Sequence, residues 1–102
     1  MTATTMRAAR TTLFGLLVER SGKSVRDVAR ESTLSIPTIL NLCRPGDSIF
    51  QARTLKLAAE WLSAQFECTI TPDRARHAAT RVLEPEEIGS AAARFLERRG
   101  RA

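Results

Sequence analysis

The sequence predicts an all-α protein, and three observations carry that expectation. Apolar residues recur at spacings of three and four along most of the chain, which is the period of a helix face. The apolar stretches open on Ser24, Ser35, Ser48 or Thr71, with Pro37 and Pro72 close behind two of them; hydroxyl caps and first-turn prolines mark helix starts. Glycine and proline then close them, at Ser21-Gly22 and Arg44-Pro45-Gly46, because neither residue continues a helix comfortably.

The first helix is expected over Leu13, Phe14, Leu16, Leu17 and Val18, with Gly22 as its left-handed terminator. Residues 1–10 are small, polar and basic and read as an N-terminal arm. Ser24 starts a second, short helix to about Glu31 or Ser32. Its hydroxyl is placed to accept from the Asp27 amide, and Val25, Val28 and Ala29 form its apolar face. Ser35 caps a third helix with Ile39 and Leu42 facing inward. A fourth, from about Phe50 to Ala64, follows an S-x-x-Q capping pair, Ser48 with Gln51. Its apolar stripe is Ala52, Leu55, Ala58, Ala59 and Leu62, with Trp61 beside it as a core residue. Residues 66–70 alternate apolar and polar, leaving room for one short strand. A fifth helix runs from Thr71-Pro72 to about Leu83 on Ala75, Ala78, Ala79 and Val82. The last carries Ile88, Ala92, Phe95 and Leu96 behind the acidic helix start Glu84, Glu86 and Glu87. The division is thus an arm at 1–10, a core at 11–66 and a C-terminal helical extension at 67–102.

At 102 residues and 11.3 kDa the chain has the size of one domain. Its 43% hydrophobic and 26% charged residues are ordinary for a globular protein. The net charge of +5 and pI of about 10.6 point to a polyanionic partner. Two of the 16 basic residues are lysines, Lys23 and Lys56; the rest are arginines. Basic and acidic residues number three and one in 1–22, six and four in 23–66, and seven and six in 67–102, so the excess sits in the first two thirds.

Cys43, Cys68 and the single histidine, His77, are too few to fill a four-ligand zinc site, and the two cysteines read as free thiols. No catalytic motif surrounds His77, so neither an enzyme nor a cofactor is expected. The apolar run at 13–18 is far shorter than the ~20 residues of a membrane span and has no signal-peptide pattern. A cytoplasmic protein with no membrane contact is expected.

The helices expected at 24–31 and 35–43 are joined by about three residues. From Ser24 to Leu42 the chain resembles the lambda-repressor-like helix-turn-helix family (Cro/CI, XRE type). The resemblance rests on Val28-Ala29, Leu34-Ser35, Ile39 and Leu42, and downstream on Thr54-Leu55, Ala59 and Leu62. It covers about residues 13–66. Thr33 stands where the family has glycine at the turn, and Lys23 where it has an apolar residue. The resemblance implies a bundle of about four helices, with the two at 67–102 added, and a small phage or bacterial transcription regulator.

The chemistry of the residues agrees. A helix fits the major groove and presents its N-terminal side chains to base edges. On a helix starting at Ile36 the outward side carries Ile36, Pro37, Thr38, Asn41 and Arg44. Asn41 suits adenine, Thr38 a base edge or thymine methyl, and Arg44 guanine or a phosphate; Ile36 and Pro37 offer apolar contact. Lys23, Arg26, Ser35, Arg53 and Lys56 are the expected phosphate contacts, Ser35 together with the amides of its helix start. The extension either completes the monomer core or forms a homodimer contact through Phe66, Cys68, Ile70, Phe95 and Leu96, suited to a palindromic operator in double-stranded DNA. Two functions follow: a Cro-like repressor acting by operator occupancy, or the antitoxin of a toxin–antitoxin pair whose C-terminal helices bind the toxin. A toxin gene beside this one favours the second, a divergent repressor gene the first.

Overall fold

The computed structural model describes residues 11–46 and 49–97. Six α-helices lie in this span: α1 (Leu13–Ser21), α2 (Val25–Ser32), α3 (Ile36–Cys43), α4 (Ala52–Phe66), α5 (Pro72–Thr80) and α6 (Ile88–Glu97), with a 3-10 turn over Pro85–Glu87 before the last. The expected N-terminal arm, Ser48 and the basic tail from Arg98 lie outside the described residues. No helix among those described is long and apolar enough to cross a membrane.

Local chemistry sets the boundaries. The hydroxyls of Thr12, Ser24, Ser35 and Thr71 each accept from the amide three residues on, capping α1, α2, α3 and α5. Gly22 ends α1 at φ 77°, where a residue without Cβ is unstrained. α2 ends on Thr33 at φ 64°. That β-branched residue occupies the left-handed region at a steric cost, with its hydroxyl turned onto the Ser32 carbonyl.

α1 is the hub of the bundle, touching α3, α4, α5 and α6. Phe14 and Leu17 are fully enclosed at its centre, and the Phe14 ring lies 6.3 Å from that of Trp61 at a 40° tilt. Ala75, Ala78, Ala79, Leu83, Ala91, Ala92 and Phe95 belong to the same core as Phe14, Val28, Ile39 and Leu62. The small residues of α4 and α5 allow these two helices the most extensive pairing in the molecule.

Three expectations change. The stretch at 66–70 is not a strand: Phe66 closes α4 and Glu67 turns the chain at φ 53°. Ser63 then takes the place of a strand partner. Its hydroxyl accepts from the Ile70 amide at 2.9 Å, and its carbonyl accepts from the Cys68 amide at 3.2 Å. Ile70 was expected at a dimer contact, yet it is 4% exposed inside this chain's own core; Phe95, at 5%, is too. Neither offers a second copy more than a few per cent of its surface. Phe66, Cys68 and Leu96 keep part of their surface.

The helix bounds also shift. α5 stops at Thr80, short of Leu83, because the chain leaves it to pair with the entry to α1. Leu13 donates to the Arg81 carbonyl at 2.9 Å, and Leu83 to the Thr11 carbonyl at 3.0 Å. α4 starts at Ala52, two residues later than expected, which leaves Ala52 exposed. In α6, Ala91 takes the buried place expected for Ile88, which is on the surface.

Candidate nucleic-acid interface

Two short helices, α2 and α3, pack on each other across Thr33, Leu34 and Ser35. α3 buries Ile39 and Leu42 and turns its other side outward. Ile36, Pro37, Asn41 and Arg44 are exposed there, Ile36 at 41% despite its apolar side chain. Thr38 is half-buried; its hydroxyl lies 2.8 Å from that of Ser35, which already accepts from the Thr38 amide at 3.2 Å. Asn41 and Arg44 have no hydrogen-bond or ion-pair partner among the described residues.

The expected residues do not stand alone. Thr38 and Asn41 form one wall of a groove of about 420 Å³, and Ile49, Phe50, Gln51 and Thr54 form the other. None of these four was anticipated. Ile49 is 96% exposed, so its apolar side chain projects from the rim. The only signal in the sequence was the position of these residues just ahead of α4, which is a loop length rather than a chemistry.

The starts of α3 and α4 differ in the amides they leave free. At the start of α3 Pro37 has no N–H, the Thr38 amide donates to the Ser35 hydroxyl, and the Ile39 amide donates to the Ser35 carbonyl at 3.0 Å. Only the Ile36 amide remains, which is little for a phosphate to grip. α4 is the opposite case. Gln51 makes no side-chain cap, so among the described residues the amides of Ala52, Arg53 and Thr54 have no acceptor at the positive end of a 15-residue helix. The Arg53 side chain sits on that turn, exposed.

The cations divide into two groups. Arg26, Arg53 and Lys56 are exposed and unpaired among the described residues. Lys23 is committed: its ammonium donates to Glu31 at 2.6 Å. Arg30 pairs with Asp27 at 2.8 Å. Glu31 also accepts from Trp61 Nε1 at 3.0 Å and from Gln65 Nε2 at 3.3 Å, which ties α2 to α4. The Lys23 hydrogen bond, then that of Trp61, holds the Glu31 carboxyl below its ordinary value of 4.5.

Cys43 and Cys68 are both free thiols. Burial pushes the Cys43 thiol up to about 11, against the opposing pull of the Arg44 charge, so it is a packing residue at neutral pH. Among the described residues no group of three or more His, Cys, Asp and Glu side chains is placed to hold a metal ion.

The chain matches no model of a known protein family, no curated protein and no solved structure.

Proposed function

We propose that the protein is a sequence-specific DNA-binding transcriptional regulator of the lambda-repressor-like, helix-turn-helix type, which lays α3 in the major groove. Asn41, Thr38 and Arg44 read base edges, while Ile36 and Pro37 meet thymine methyls. The amides at the start of α4, with Arg53, take a backbone phosphate, and Arg26 and Lys56 take others. One observation carries the reading. A short helix turns Asn41 into a groove shared with Gln51 and Thr54, and Asn41, Arg44 and the exposed Arg26, Arg53 and Lys56 have no hydrogen-bond or ion-pair partner among the described residues.

The regulator acts as a homodimer on a palindromic operator, since one module making a few base contacts has little specificity. Of the five residues first expected at the dimer contact, Phe66, Cys68 and Leu96 remain available. Occupancy of the operator represses by excluding polymerase.

Fluorescence anisotropy on the protein's own upstream DNA tests this. Each neutralised phosphate adds about −0.9 to the slope of log K against log salt. Replacing Arg26, Arg53 and Lys56 together by Gln is expected to reduce the slope by about 3 per subunit. A wild-type affinity that does not change with salt contradicts the proposal.

A further inference from the structure

We infer that the cleft between α5 and α6 is a binding site for a small organic anion, a carboxylate or phosphate monoester on an apolar body. The cleft holds about 590 Å³, within the range of about 300–1,000 Å³ typical of ligand pockets and far larger than an inorganic anion needs. Its apolar floor is formed by Leu13, Ala91 and Phe95, and its polar wall by Arg74, Arg81 and Arg94. It lies apart from the groove of Thr38 and Asn41 and shares no lining residue with it.

The three guanidiniums are held in different ways. Arg74 lies over the Phe95 ring, 4.0 Å from its centroid, and donates to the Phe95 carbonyl. Arg81 donates to Glu87. Each commitment fixes the orientation of a planar fork of five donors, and the other donors have no acceptor among the described residues. Arg94 has no partner among the described residues. Asp73 is the carboxylate among the described lining residues, and it pairs with Arg76, outside the lining, at 3.5 Å. The lining is therefore cationic, pre-oriented and concave over an apolar floor. Arginine forks recognise carboxylate and phosphate by paired charge-assisted hydrogen bonds, and the floor suits a ring or short alkyl chain.

A DNA phosphate offers the same head-group chemistry without the apolar body, so the test separates the two sources. The probes are benzoate, phenyl phosphate, inorganic phosphate and neutral benzamide. They are titrated into the full-length protein without DNA, followed by amide shifts in nuclear magnetic resonance spectra. The expected result is saturable binding of benzoate or phenyl phosphate at or below about 1 mM, with shifts centred on Ala91 and Phe95. Benzamide and inorganic phosphate bind at least about tenfold more weakly, because each lacks one half of the recognition. Arg94 is exposed and makes no hydrogen bond or ion pair among the described residues, so Arg94→Gln keeps the melting temperature and weakens benzoate about tenfold, the effect of one charge-assisted hydrogen bond. The inference is overturned if neither organic anion saturates by about 10 mM, if benzamide binds as well as benzoate, or if Arg94→Gln leaves affinity unchanged. A separate anisotropy measurement on DNA identifies the other source: if Arg94→Gln weakens DNA binding while benzoate affinity is unchanged, the arginines are a backbone contact and the inference is overturned. Because the small-molecule titrations contain no DNA, they stand or fall independently of the DNA-binding proposal.

Discussion

The Thr12 hydroxyl donates to the Leu42 carbonyl at 2.7 Å while accepting from the Gly15 amide at 3.1 Å. One fully buried side chain thus caps α1 and holds the last turn of α3. The Thr12 amide adds a bond to the Cys43 carbonyl at 3.1 Å. Thr12→Val keeps the shape and removes both side-chain bonds. The lost cap costs about 1 kcal/mol and the orphaned Leu42 carbonyl about 1–2 kcal/mol more. Urea unfolding is expected to show a lower midpoint at unchanged slope, corresponding to about 2–3 kcal/mol in all.

Thr33→Gly is expected to stabilise the protein. The left-handed conformation at φ 64° costs a β-branched residue about 1–2 kcal/mol, and glycine gives back about 0.5–1 kcal/mol through its freer unfolded chain. The net gain of about 0.5–1 kcal/mol raises the melting temperature by about 3–5 °C in calorimetry. An unchanged or lower melting temperature refutes a strained turn at Thr33.

Glu31 predicts an acid limb of stability. Its folded carboxyl is held below 4.5 by Lys23 and Trp61, so its contribution is complete above that value and is lost as pH falls through the lowered one. Glu31→Gln keeps an acceptor for Trp61 but has nothing to titrate. Urea midpoints measured from pH 7 downward are expected to fall more steeply below pH 4.5 for wild type than for the variant. Parallel curves refute the role.

Much of the fold was legible because its signals are local. A hydroxyl cap, a first-turn proline and a spacing of three and four act within one helix, and α1, α2, α3 and α5 start where they say. Pairing between distant segments left no such mark. The alternation at 66–70 reads as a strand only if no neighbour satisfies its backbone, and Ser63 does so from the helix before it. Gly15 interrupts the apolar run at 13–18 with nothing local to explain it. It is the point where α1 meets the end of α3, since a Cβ there comes within 2.9 Å of the Cys43 carbonyl. The outward residues of α3 followed from helical spacing, whereas the facing wall of Gln51 and Thr54, and the capture of Lys23 by Glu31, depend on how α2, α3 and α4 are set against one another.

The central claim is that α3 reads bases through Asn41. Its most direct test compares wild type and Asn41→Ala on a duplex selected from a random pool by the wild type, and on a random duplex of equal length, at one salt concentration. The account predicts a loss of about 1–3 kcal/mol on the selected duplex, relaxed preference at one base pair, and unchanged affinity for the random one. Equal loss on both duplexes, or a wild type that selects no sequence, contradicts it.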